Sequence, residues 1–262
     1  MRGDVVSAVI SREIAEIRRN RVLLFTIIGL PALFVLLPLG LGFGVQLKPL
    51  QPELIARILA QRPDWKDMDT LAITAAYGLQ TFLPLYMIMP AMIPMTIATY
   101  SIIGEKQART LEPVLATPIR TIELLMGKAV ASLVPGIVGT WITYGLFLAL
   151  ATALFGVRLG QVLVDSSWLA GIFLLGPAMG LLSVVLGIAV SSRVGDPRTA
   201  QQVGGFLVLP VVVLILLQAT GALFVGAVGY ALLALLVAVI GLAGLRVGVA
   251  LFSRETILTR WR

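Results

Sequence analysis

The sequence predicts an all-α polytopic membrane protein of six transmembrane helices, and three observations carry that expectation. Of the 262 residues, 58% are hydrophobic and only 13% charged, whereas soluble domains carry about a quarter charged residues. The apolar residues gather into runs long enough to cross a bilayer, which takes roughly 20 helical residues because lipid leaves every backbone polar group to pair within its own segment. The Lys and Arg residues fall mostly on one side of the resulting topology. A mean hydropathy of +0.99 says the same: a core of this length cannot hide so much apolar side chain from water.

Residues 1–21 come first. Val5, Val6, Val9, Ile10, Ile14 and Ile17 recur at helical spacing, with Arg12, Glu16, Arg18 and Arg19 mostly on other faces, which predicts an amphipathic helix lying in the membrane interface. The plainer alternative is a basic flank that only orients the first span. About twenty polar residues before the first apolar run do not resemble a cleavable signal peptide. The first span covers 22–45 and contains Pro31 and Pro38. A polar segment follows, in which Lys48, Arg57, Arg62 and Lys66 balance Glu53, Asp64, Asp67 and Asp69. Pro52 there suits the first turn of a short surface helix.

The second span lies within 71–103. Pro84, Pro90 and Pro94 remove helix hydrogen bonds and predict a kinked or irregular helix. Met87, Met89, Met92 and Met95 add adaptable surface. Pro84, Met87, Pro90 and Pro94 are thus candidates for lining a pathway, with simple packing as the alternative. Residues 104–128 form the longest charged interruption of the chain. The third span covers 129–155, and an outer loop with Arg158 and Asp165 leads to the fourth at 168–190. That span holds Gly176 and Gly180, a spacing that lets helices approach closely. Residues 191–202 read as a turn. From Val203 to Leu245 the apolar run is about twice a single span, which predicts spans at 203–219 and 225–245 joined by a tight or re-entrant outer connection. The tail, 246–262, is basic.

With six spans both termini share a side. Placing them inside with the 104–128 and 191–202 loops puts about 15 Lys and Arg within and 5 outside, the bias that the positive-inside rule expects. The 104–128 loop is then cytoplasmic, in reach of ATP.

Missing side chains exclude much chemistry. The chain has no Cys and no His, so thiol nucleophiles, Ser–His sites and His-ligated metals cannot be assembled. No nucleotide-binding loop exists. Gly127-Lys128 is followed by Ala129, and Ile122 stands where the first glycine should be. Asp165 and Asp196 sit in loops, against an aspartyl intramembrane protease. No ionisable residue falls well inside a span, which disfavours a self-sufficient ion-coupled carrier and favours apolar or amphiphilic cargo. The expectation is a non-enzyme without cofactor or metal of its own.

The 104–128 loop has its own logic. Glu105 and Arg109 stand four apart and could pair along a short helix. Pro113 interrupts the backbone ladder, splitting the loop into two pieces. Thr117 followed by Pro118 reads as a cap and first position restarting a helix into the third span. The result is a stiff charged knuckle between two membrane helices, or else a solvated loop that only sets topology.

The ordered run Glu105-Lys106, Thr110-Leu111-Glu112, Leu115, Thr117-Pro118-Ile119, Glu123-Leu124 and Gly127-Lys128 resembles the signature of type-2 ABC exporter permeases. About 25 residues match closely, while length, span number and the amphipathic start agree over the whole chain. Arg109 stands where that family often has glycine, and Pro113 is a local variation. The resemblance implies a cytoplasmic coupling helix between spans two and three, docked on a separate ATP-binding subunit that carries ATP and magnesium. It implies a second permease subunit, as homodimer or heterodimer, in a prokaryotic cytoplasmic membrane. The segment between spans five and six often dips back into the membrane in that family. Carried over by position, Glu105, Lys106, Arg109, Thr110, Leu111, Glu112, Thr117 and Pro118 are the expected ATPase contacts, with Glu13, Arg18 and Arg19 as weaker candidates. The implied activity is export of a drug, antibiotic, lipid or similar amphiphile. The alternatives are a permease-like assembly factor for the envelope or a respiratory complex, and a structural membrane partner that transports nothing.

Overall fold

Backbone in hydrocarbon has to satisfy its own hydrogen bonds, and this chain does so with helices. A computed structural model describes residues 2–45, 50–110, 119–220, 222–223 and 225–251, and no strand occurs among them. In order, the helices are α1 (Gly3–Arg19), α2 (Arg21–Val45), α3 (Pro52–Gln61), α4 (Thr70–Thr81), α5 (Ile88–Gln107), α6 (Thr121–Phe155), α7 (Val157–Leu163), α8 (Ser166–Ala170), α9 (Gly176–Arg193), α10 (Pro197–Gly205), α11 (Val208–Ala219) and α12 (Ala227–Leu251). Six helical stretches are long and apolar enough to span a membrane: Arg21–Gly40, Thr70–Gln107, Ile122–Phe155, Ser166–Arg193, Pro197–Ala219 and Ala227–Leu245.

The second of these is the hub. Its apolar window is 78% buried, against 17% for each of the last two stretches; the first, third, fourth and fifth stretches pack on it, while the sixth packs mainly on the fourth. Its 38 residues would make a straight helix roughly 57 Å long at 1.5 Å per residue, well over the hydrocarbon thickness. The prolines resolve this. Residues Leu83–Met87 tighten into a 3-10 segment that separates α4 from α5, and Pro94 sits inside α5. All four proposed lining residues, Pro84, Met87, Pro90 and Pro94, are buried within the chain's own packing. A side chain at Gly136 of α6 would come within 2.6 Å of Pro94, and Gly176 and Gly180 both face Pro90. Pro90 and Pro94 thus fit against glycines of the neighbouring spans.

At one end of the bundle an aromatic cluster holds the spans together. Trp168 stacks on Tyr144 with ring centroids 5.4 Å apart and on Phe147 at 5.9 Å, while Tyr86 meets Trp168 edge-on at 5.8 Å. Asp165 sets this up by accepting from the backbone N–H groups of Ser167 and Trp168 at the start of α8 and from Arg62 after α3. One π turn, Gly171–Leu175, joins α8 to α9.

Two boundaries differ from the sequence expectation. The turn expected over 191–202 is only Val194–Asp196, because α9 continues to Arg193 and α10 begins at Pro197. Asp196 accepts from Thr199 N–H at 3.2 Å and Pro197 takes the first helical position, a start signal in plain sight. Likewise α6 begins at Thr121, where Glu123 accepts from the N–H of Arg120 at 3.2 Å, and Thr117 and Pro118 lie outside the described residues. Residues 220–226 link α11 to α12, and those described form no helix.

Candidate functional site

The α5 and α6 helices flank the charged loop, and α1 lies across their ends. A missing side chain lets it come so close: a Cβ at Gly127 would sit 2.6 Å from Val9 Cγ1 and 2.7 Å from Val9 Cβ. Four residues earlier on the same face, Glu123 accepts from the backbone N–H of Arg2 at 2.9 Å, which fixes the start of α1 against the start of α6.

The next residue after Gly127 is the centre of the site. Lys128 Nζ lies 2.6 Å from Glu13 Oε1 of α1, 3.0 Å from Glu105 Oε2 of α5 and 2.6 Å from Ser101 Oγ. The ammonium has three donors, and three partners surround it. Arg12 reaches in from the surface, with Nη2 2.8 Å from Glu105 Oε1. Lys128, Glu13 and Glu105 are each only 2% exposed. Two cations and two carboxylates sum to zero, which is how such a cluster tolerates burial: an unpaired buried charge costs several kcal/mol, and a paired one roughly breaks even. Glu105 is held by charge and proximity, without well-aligned hydrogen bonds to its oxygens. Nearby Glu16 has its pKa raised, first by burial and then by repulsion from Glu13.

A second set of ties starts one residue along. Lys106 donates to the carbonyls of Ser191, Ser192 and Val194 at 2.9, 3.2 and 3.4 Å, closing the C-terminal end of α9. Gln107 adds a bond to Gly195 O at 3.0 Å. Adjacent side chains thus bind the end of α5 to α1 and α6 on one side and to α9 on the other.

Arg109 then turns the chain out of the helix with φ 53°. Thr110 N–H donates to Glu105 O at 3.0 Å and Arg109 N–H to Lys106 O at 3.1 Å, the bonding pattern of a Schellman cap with its left-handed residue at Arg109. Left-handed backbone disfavours every side chain with a Cβ, which gives the glycine of the resembling family a reason. Arg109→Gly is expected to raise stability by about 0.5–1 kcal/mol, the Cβ strain relieved less the extra freedom of an unfolded glycine. Thermal unfolding in detergent measures it.

The expected contact residues therefore divide. Glu105 and Lys106 are turned inward, and Glu105 pairs with Lys128 and Arg12 instead of Arg109. The reason is that α5 stops at Gln107, so Arg109 is not one helical turn further along. Glu13 is buried as well. Arg109, Thr110, Arg18 and Arg19 are exposed. Leu111, Glu112, Thr117 and Pro118 lie outside the described residues, as does Pro113. Sequence reasoning did not single out Arg12, Ser101, Glu123 or Lys128 as a set. One signal was available: Glu13 falls within the apolar stripe Val6, Val9, Ile10, Ile17 of α1, where a carboxylate needs a buried partner.

The family model described as "ABC-2 family transporter protein" matches residues 44–225. Comparison with curated proteins gives no match. The matched region runs from the end of α2 through α11 and takes in both helices beside the Lys128 cluster, and on that match the chain belongs to the ABC-2 family of transporter membrane proteins, as a multi-pass permease subunit.

Proposed function

We propose that this permease couples ATP hydrolysis on a separate, magnesium-dependent ATP-binding subunit to the export of an amphiphilic or apolar compound. Two permease subunits form the pathway in a prokaryotic cytoplasmic membrane, with both termini in the cytoplasm and α1 along the interface. The docking surface takes in Arg109 and Thr110, which are exposed, together with Leu111, Glu112, Thr117 and Pro118, which the family resemblance assigns to it. Arg18 and Arg19 at the end of α1 offer a second contact.

The observation that carries the reading is the Lys128 cluster at the foot of the loop. It ties the helix that enters the loop to the helix that leaves it, and both to α1. A push on the loop therefore displaces three helices together, and Lys106 passes it to α9. Motion becomes transport only if the two conformations differ in how well they bind cargo.

The test is reconstitution with the co-purified ATP-binding subunit. Arg109→Glu with Thr110→Asp leaves the buried ties intact and reverses charge at the docking edge, where like-charge juxtaposition costs several kcal/mol. Transport is expected to fall roughly tenfold or more with basal hydrolysis retained. Wild-type coupling in that variant would overturn the assignment. Failure to recover any stoichiometric ATP-binding subunit from several mild detergents would favour a structural membrane partner.

A further inference from the structure

At the far end of the bundle from the Lys128 cluster lies a cavity of about 460 Å³. Its walls come from the end of α3, the end of α4, the start of α8, the end of α11 and the residues leading into α12. The opposite end of the α8–α9 stretch meets Lys106, which fixes the cavity on the side away from the charged loop. Its volume falls in the range of small-molecule sites.

The lining chemistry is unusual for so apolar a chain. Gln80, Gln218, Tyr77, Tyr230 and Trp168 converge on it. Amides are expensive inside apolar helices unless hydrogen-bonded, and these are held in place: Gln218 Nε2 donates to Tyr230 Oη at 3.0 Å, Tyr77 Oη donates to Gln218 O at 2.6 Å, and Gln80 Nε2 donates to Val162 O at 3.3 Å. Each amide carries two donors and a carbonyl acceptor, of which these bonds use one donor. Trp168 is buried and its indole N–H has no partner among the described residues. Leu83 and Val225 supply an apolar wall.

Charge is accounted for at this site. Among the described residues Arg62 is the one ionised side chain on the wall, and it pairs with Asp64 at 3.1 Å and with Asp165 while lying over the Trp65 ring. An anion would have to displace those carboxylates. A cation would meet the guanidinium. Groups that donate and accept at the same atom match amides and phenols, and hydroxyls do so.

We propose that the cavity receives the uncharged, hydroxyl-bearing headgroup of an amphiphile, with its apolar part toward Leu83 and Val225. This names the cargo class within the exporter reading and rests on it for the cavity's use, whereas binding itself needs no ATP-binding subunit. The experiment is isothermal titration of the permease alone in lipid nanodiscs with hexyl glucoside, hexyl sulfate and hexyltrimethylammonium, blanked against empty nanodiscs. Saturable binding is expected for the glucoside, with only bilayer partition for the charged homologues. Gln80→Leu and Gln218→Leu should each weaken glucoside binding by roughly three- to tenfold, the loss of one net hydrogen bond. The wild-type headgroup series stands by itself if a variant does not fold. Saturable binding of either charged homologue as tight as the glucoside, no saturable glucoside binding, or unchanged affinity in both variants would overturn the proposal. None of these results would touch the coupling assay, which reads the other end of the molecule.

Discussion

Replacing Lys128 by methionine is expected to destabilise the permease by about 3–5 kcal/mol, the usual cost of removing one member of a buried ion cluster. Methionine matches the length and apolar stem of lysine, so the loss comes from charge and not from volume. Glu13 and Glu105 would remain with only the half-exposed Arg12 between them, each 2% exposed. The unfolding midpoint in detergent reads the effect. A triple variant, Lys128→Met with Glu13→Gln and Glu105→Gln, separates folding from transmission. Removing all three charges avoids the unpaired carboxylates, and such replacements are often neutral or even stabilising. The triple variant should therefore recover most of the stability. If the cluster transmits movement between α1, α5 and α6, transport per ATP hydrolysed stays low in that folded protein. Full recovery of both stability and coupling would reduce the cluster to a packing device.

Gly127→Leu has the next largest expected effect, and acts by crowding. The 2.6 Å approach to Val9 already falls inside contact distance for a single added carbon, with the carbonyl of Val6 at 3.4 Å beyond it. The leucine can be seated only by moving α1 off α6, and such overpacking typically costs about 1–3 kcal/mol. Moving α1 also pulls Glu13 away from Lys128, so the two perturbations should not add. Gly127→Leu combined with Lys128→Met is expected to cost less than the sum of the two alone, by thermal unfolding of the four proteins of that cycle. Strict additivity would mean that α1 stays seated despite the leucine.

Span number, helical class and the proline break were legible in the sequence because each rests on a local rule: run length, hydropathy, or a missing N–H. The family was legible for a related reason, since its signature is a contiguous run. What stayed hidden was the destination of individual side chains. Glu105 reads as a loop charge when only its neighbours along the chain are seen, and its partners at Lys128 and Arg12 come from elements far away in sequence. The Met-rich, proline-rich second span reads along the sequence as packing first, with a pathway as the lesser alternative. It is the most buried of the six described stretches, because four of the other spans pack on it. Gly127-Lys128 reads along the chain as a failed nucleotide motif and as the end of the family signature. Its meaning, a gap for Val9 followed by a cation for two carboxylates, needed α1 in place.

The zero sum of the Lys128 cluster has one more consequence. A charge carried through the electric field of an energised bilayer gains or loses about 2.3 kcal/mol per 100 mV. Arg12, Glu13, Glu105 and Lys128 are held together with no net charge, so displacing them as one body does no electrical work. In the proposed coupling cycle this cluster would therefore add no voltage dependence of its own.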